Sequence, residues 1–344
     1  MALSLQHWEA RIGRRLRLRD LHVLLTAVQC GSMAKAARRL AVSQPAISKA
    51  IADLEHTLGV RLLDRGPRGI EATVYGSALI RRGLAVFGEL RQAVNEIEFI
   101  ANPTAGEVRI GCNESLSVAL LPAVIERLSV QHPAVTVHLS PMSRPITLEI
   151  AQLRERNVDL LIGRGIFPIP EDDLNAEVLF EEPLLVVAGI QSPWVRRRKL
   201  ELADVVDARW ILYPPNEPPG TLVEQAFRLQ GLAMPRPSVT TSSAHLRDAL
   251  LTKGDYLTVV PACMLRVFNA KQMAVKSLPI DLGIQGRPVA VFTLKNRTLS
   301  PLAEIVIKCV RAAAASISSQ PRRLSPLIGL RNTLHGQAND TPKY

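Results

Sequence analysis

Apolar residues in the first hundred positions recur mostly at helical spacing. In LRDLHVLLTAVQ (18–29), Leu18, Leu21, Leu25 and Val28 share one face. Gly31-Ser32 then offers a stop followed by an N-cap for a helix over 33–40. Ser43 caps a third helix, which tolerates Pro45 because N–H groups of a first turn lack intrahelical partners. Ile47, Ile51, Leu54 and Leu58 make its inward face, so Gln44, Pro45, Ser48, Lys49 and Ala52 point outward. After Gly59, LLDRGPRGIEATVYG predicts a hairpin around Gly66-Pro67-Arg68-Gly69.

A single long helix is expected over 76–101. Ile80, Phe87, Leu90, Val94, Ile97 and Ala101 form one apolar seam at heptad-like spacing, which suits pairing with a second copy. The plainer alternative is packing onto its own domain. NPTAG (102–106) reads as a hinge. Beyond it, extended segments (107–111, 135–140, 159–163, 184–189, 210–214, 238–242, 256–261, 287–296) alternate with helical ones, ending in a helix over 300–317. That alternation predicts an α/β part with a mostly parallel sheet. The polar tail, 318–344, has no sustained period and is expected to be mobile.

Composition narrows the functional classes. The net charge of +11 is uneven: residues 1–104 hold 15 Lys/Arg against 9 Asp/Glu, whereas 105–317 hold 23 against 21. A basic face that neutralises phosphates would therefore lie in the first third. Cys30, Cys112, Cys263 and Cys309 are scattered, without CxxC or zinc spacing, as in reduced cytosolic proteins. The seven histidines show no metal spacing either. No apolar run approaches the roughly 18 to 20 residues that span a bilayer, and the N-terminus lacks a signal-peptide pattern. A cytoplasmic location without membrane partners is the expectation. GxSxG, GxGxxG after a strand, Walker A and HExxH motifs are missing, so no enzyme activity and no cofactor are expected.

Between Gly31 and Arg65 the stretch GSMAKAARRLAVSQPAISKAIADLEHTLGVRLLDR resembles the DNA-binding segment of the LysR-type transcriptional regulators. Matching residues include Gly31-Ser32, Ala36-Ala37, Leu40, Ser43 to Ala46, Ser48, Ile51, Leu54-Glu55, Leu58-Gly59, Leu62 and Arg65. One departure is Leu63, where that family usually carries Phe. RIGCNESLSVALLP, NVDLLIGR and GDYLTVVP look like phrases of its effector domain. The resemblance implies an N-terminal winged helix-turn-helix (1–75), an all-α dimerising linker helix (76–101) and a hinge (102–106). A two-lobed effector domain resembling periplasmic binding proteins (107–317) would follow. Its first lobe would span about 107–184 and 288–317, its second about 185–287.

Site residues follow from the same resemblance. Double-stranded DNA carrying a near-palindromic operator would meet Ser32, Arg38, Ser43, Gln44, Pro45, Ser48, Lys49, Arg65 and Arg68. Gln suits adenine, Lys suits guanine acceptors, and an arginine at a hairpin tip can enter a narrow minor groove. A small-molecule effector would lie between the lobes against Ser115, Leu116, Ser143, Arg144, Thr147, Gly220, Thr221, Ser242 and Ser243. Hydroxyls and backbone N–H groups at helix starts suit an anionic or hydroxyl-rich molecule, and Arg144 can pair a carboxylate. For each of these residues, capping or solvation is the competing role. A homo-oligomer, a dimer of dimers, is expected, with RNA polymerase as a further candidate partner. The alternative is a redox- or ligand-independent DNA-binding repressor of the same fold. Arg196 to Lys199 is read as a solvated basic run.

Overall fold

The computed structural model describes residues 15–66, 69–165, 167, 169, 171–215 and 217–318. Three short helices come first: α1 (Leu18–Cys30), α2 (Met33–Arg39) and α3 (Gln44–Leu58). Strands β1 (Leu63–Gly66) and β2 (Gly69–Ala72) pair antiparallel as the wing. Gly31 ends α1 in the left-handed region at φ 64°, where a side chain would be strained. Its carbonyl accepts the Ile70 N–H at 3.2 Å, which ties the wing to the helical core. That core gathers Leu24, Ala36, Ile47, Ile51, Leu54 and Leu62, all essentially inaccessible. Leu18, expected to face inward, is instead exposed. Helix α1 turns a broader face inward, burying Val23, Leu24 and Ala27 beyond the stripe that spacing suggests.

The long helix α4 (Val74–Ala101) begins under the cap of Thr73, whose hydroxyl accepts the Gly76 N–H at 3.0 Å. Val86, Leu90, Val94, Ile97 and Ile100 leave it unburied. Two five-stranded sheets follow. The first comprises β3 (Ala105–Asn113), β4 (Ala134–Met142), β5 (Leu160–Arg164), β6 (Leu174–Glu182) and β12 (Arg287–Leu294), in the order β4-β3-β5-β12-β6. The second comprises β7 (Leu184–Gly189), β8 (Arg209–Leu212), β9 (Pro237–Thr240), β10 (Tyr256–Pro261) and β11 (Val275–Ser277), in the order β11-β7-β10-β8-β9.

Neither sheet is mostly parallel. Strand β12 returns from the second sheet to run antiparallel between β5 and β6, and β7 runs antiparallel to both β10 and β11. The chain thus passes from one lobe to the other and back, and a returning strand enters in the opposite sense. Helices α5 (Glu114–Ala119), α6 (Leu121–Gln131), α7 (Ile146–Arg154) and α11 (Pro301–Ser318) belong to the first lobe. Helices α8 (Pro218–Leu229) and α9 (Ala244–Lys253) belong to the second. Helix α10 (Cys263–Ala270) joins a core shared with Leu116, Val124 and Val289 of the first lobe. A separate core around Trp210 and Phe227, whose rings meet edge to face, fills the second lobe.

Candidate functional site

In the first domain the candidate surface is one flank of α3. Ser43 stands in extended conformation at φ −76° and its hydroxyl accepts the Ala46 N–H at 3.4 Å, with Pro45 in the first turn. Ile47, Ile51 and Leu54 anchor the opposite flank, each 1% exposed or less. Gln44, Pro45 and Lys49 are exposed and Ser48 is half-buried. Among the described residues, the side chains of Gln44 and Lys49 make no hydrogen bond or ion pair. Ser32 caps α2, accepting the Lys35 N–H at 3.5 Å, and Arg38 is exposed on that helix. Arg65 lies exposed on β1; Arg68 falls outside the described residues, as do residues 319–344 of the tail.

The sequence marks Glu55 as a family match but gives it no role. From the last turn of α3 its Oε1 accepts the N–H groups of Leu62 at 2.7 Å and Leu63 at 3.3 Å. A carboxylate at a helix C-terminus opposes the helix dipole, and that mismatch is the sequence signal for a specific partner. The two bonds set the angle at which the wing leaves the recognition helix.

In the second part, the C-terminal ends of parallel strands β3, β4 and β5 face the other lobe, a common arrangement for ligand sites. Asn113 pairs in register with Met142, so Ser115 after β3 and Ser143, Arg144 and Thr147 after β4 lie at one sheet end. Ser143, Arg144 and Thr147 are exposed. The Arg144 Nε donates to Glu149 at 3.3 Å, so its guanidinium is partly committed to the helix that follows it. Leu116 is fully buried, so its side chain belongs to the core and only its backbone can meet a ligand. On the second lobe, Gly220 packs beneath Pro214 and Ser242 donates to Glu217 at the start of α8. Thr221 is exposed in that first turn. Ser243 caps α9, accepting the Leu246 N–H at 3.3 Å. Gly220 also lines a cavity of about 360 Å³ in this lobe, together with Leu212, Val223, Met234 and Thr240.

Two clusters at the lobe boundary were not anticipated. Arg164, at the end of β5, donates through Nε to Glu182 at 2.7 Å and through Nη1 to Ser115 at 3.1 Å. Glu182 is buried and its other oxygen accepts the Cys263 N–H at 3.0 Å, so residues of both lobes close on one carboxylate. The second cluster holds Tyr213, Arg247 and Asp248. Arg247 is only 4% exposed and donates to the Tyr213 hydroxyl. Burial pushes the Tyr213 phenol and the Asp248 carboxyl up, opposed by Arg247; Glu114 of the first lobe adds to both rises.

Burial favours the protonated thiol at Cys112 and Cys263. Burial pushes Cys112 up to about 12 and drives Cys263 higher, with the nearby Glu182 carboxylate adding to the second rise. Among the described residues no group of three or more His, Cys, Asp or Glu could hold a metal ion, and no helix is long and apolar enough to cross a membrane.

Comparison with known proteins places this geometry. Residues 18–77 match the model for the bacterial regulatory helix-turn-helix protein, lysR family, and residues 101–315 match the LysR substrate binding domain. The HTH-type transcriptional regulator GbpR of Azospirillum brasilense is 31% identical over 87% of this chain and 87% of its own. The HTH-type regulator YdcI of Escherichia coli is 28% identical over 87% of this chain and 96% of its own. Full-length CbnR in complex with its target DNA superposes with a TM-score of 0.63 at 22% identity, over 87% of this chain and all of CbnR. With an exposed recognition flank, a wing and a two-lobed ligand-type domain on one polypeptide, the chain belongs to the LysR family of DNA-binding transcriptional regulators.

Proposed function

We propose that Gln44, Pro45, Ser48 and Lys49 enter the major groove of a near-palindromic operator while Ser32, Ser43, Arg38 and Arg65 hold its phosphates or minor groove. The observation that carries this is the division of α3 into a fully buried apolar flank and an exposed polar one beginning at a capped N-terminus. An exposed helix start with Gln and Lys is the geometry by which such domains read base edges. CbnR, of the same fold, is known in complex with its target DNA.

The exposed seam of α4, from Val86 through Leu90, Val94 and Ile97 to Ile100, supports a homodimer built on that helix. Two such dimers would assemble into a tetramer. A small molecule between the lobes shifts their closure, and the change reaches DNA through α4. The exposed basic run Arg196 to Lys199 is available for RNA polymerase or DNA backbone. A regulator of this kind works in the cytoplasm and performs no catalysis.

Selection of bound duplexes from a random pool with the full-length protein tests the reading. It predicts an enriched near-palindrome with half-sites about one helical turn, roughly 10 base pairs, apart. A pool with no enriched motif would contradict it.

A further inference from the structure

A second cavity, of about 660 Å³, lies where the long helix meets the first lobe. Arg81, Arg82 and Ala85 of α4 line one side of it. Arg154 and Arg156, at and just past the end of α7, line the other with Arg297, just past the end of β12. Strand β12 runs antiparallel to β5, so its end lies at the opposite end of the sheet from the lobe boundary. The cavity is therefore separate from the interlobe cleft.

Its lining is basic, and the pairing of each charge shows where the excess falls. Five arginines face two carboxylates, Glu155 and Asp173. Arg154 is spent on Asp173 at 2.7 Å and Glu171 at 2.8 Å. Arg156 pairs with Glu89, and Arg297 reaches Asp159 only at 3.4 Å. Arg81 and Arg82 are exposed, and their side chains make no hydrogen bond or ion pair among the described residues. Glu155 is the one lining carboxylate left to set against them.

The lobe arginines meet α4 through a neutral group. The Gln92 Oε1 accepts from Arg297 Nη2 at 2.6 Å, from Arg297 Nε at 2.9 Å and from Arg156 Nη1 at 3.1 Å. Its Nε2 donates to the Thr298 carbonyl at 2.9 Å. Two guanidiniums thus converge on an amide that offers no charge. Arg297 is 5% exposed, and its Nη1 is buried without an acceptor among the described residues. Burial holds Arg91, Arg156 and Arg297 below the ordinary arginine range, Arg156 at about 10. Arg297 adds to the fall at Arg91 and Arg156, and Arg109 at Arg91; Asp159 opposes all three, and Glu107 opposes the fall at Arg91.

A partner for this surface has to bring concentrated negative charge and several acceptors. A phosphate monoester carries about −1.5 to −2 charges at pH 7 and three terminal oxygens, and arginine forks match it. A carboxylate brings one charge and two oxygens. The volume falls in the range of small-molecule sites, roughly 300 to 1,000 Å³. We infer that this cavity binds a phosphorylated small molecule, with Arg81 and Arg82 engaging its phosphate from α4 and Arg297 from the first lobe. Such a ligand ties the long helix to the effector domain at a point apart from the cleft.

Isothermal calorimetry on the full-length protein tests this with AMP and glucose 6-phosphate, each beside its uncharged counterpart, adenosine or glucose, and with gluconate as a carboxylate. At least one phosphorylated probe should bind once per chain while its counterpart does not. The double variant Arg81→Ala with Arg82→Ala removes two side chains without structural partners and should weaken that probe by about tenfold or more. Gln92→Glu, which gives the joint a resident negative charge, should weaken it as well. Gluconate binding as tightly as the phosphorylated probe overturns the phosphate assignment, and equal binding by all variants overturns the location. Silence from both phosphorylated probes overturns the inference outright. If the double variant then loses affinity for a random duplex, Arg81 and Arg82 serve the DNA backbone instead.

Discussion

Glu55 reaches from the last turn of α3 to the start of the wing, its Oε1 2.7 Å from the Leu62 N and 3.3 Å from the Leu63 N. One side chain thereby couples the helix that carries Gln44 and Lys49 to the hairpin that carries Arg65. Replacing it with alanine strands two partly buried N–H groups. Glu55→Ala should cost about 1 to 3 kcal/mol in urea unfolding of the first domain and weaken operator binding through wing placement. Glu55→Gln keeps an acceptor oxygen and should lose less. Equal losses for the two variants would contradict the hydrogen-bond account.

Ala41 lies in the turn between α2 and α3 with φ 54°, a left-handed conformation that L side chains rarely adopt. The turn is closed by the Val42 N–H on the Ala37 carbonyl at 3.0 Å, so the backbone has no easy escape. Ala41→Gly should stabilise the helical domain by about 0.5 to 1 kcal/mol after the entropy of the unfolded glycine is counted. A destabilising result would mean that the turn is not strained at Ala41.

The Arg164 and Glu182 pair is buried where the lobes meet, with Glu182 also holding the Cys263 N–H. Breaking one partner leaves an uncompensated charge in a poorly hydrated place. Glu182→Ala should cost about 3 to 5 kcal/mol by denaturant unfolding, and the double replacement Arg164→Met with Glu182→Leu considerably less. Similar costs for both would show that the carboxylate contributes chiefly through packing.

Cys112 and Cys263 should resist alkylation by iodoacetamide at pH 8 in the folded protein and react once it is unfolded. Their thiols are held above the usual range by burial, so the reactive thiolate stays scarce until pH nears about 12 for Cys112. Mass spectrometry of the labelled peptides reads this directly. Labelling of either in the native state would reopen a thiol-sensing role.

Not all of this was legible in the chain. The recognition helix was, because Ser43 marks its start and Ile47, Ile51 and Leu54 keep helical spacing without interruption. Strand β6 (Leu174–Glu182) was not, because LNAEVLFEE carries polar residues on both faces, and its partner β12 shifts register between Val289 and Ala290. The Arg164–Glu182 contact was also invisible. It depends on β12, more than a hundred residues later, inserting between β5 and β6. Tyr213, just after β8, and Arg247 and Asp248, on α9, meet no motif. Serines at helix starts drew attention first; Ser243 bonds the Leu246 N–H of its own helix, and Ser242 donates to Glu217 at the start of α8.

Substituting Lys49 tests the central claim most directly, because Lys49 is exposed on the polar flank and carries no structural bond among the described residues. Operator and random duplexes of equal length should be titrated with Lys49→Ala and with the unaltered protein at one fixed salt concentration. The account predicts that operator affinity falls by about 1 to 3 kcal/mol, that random-duplex affinity falls much less, and that selectivity relaxes at one base position. Unchanged operator affinity, or equal losses on both duplexes, would contradict base reading by this face of α3.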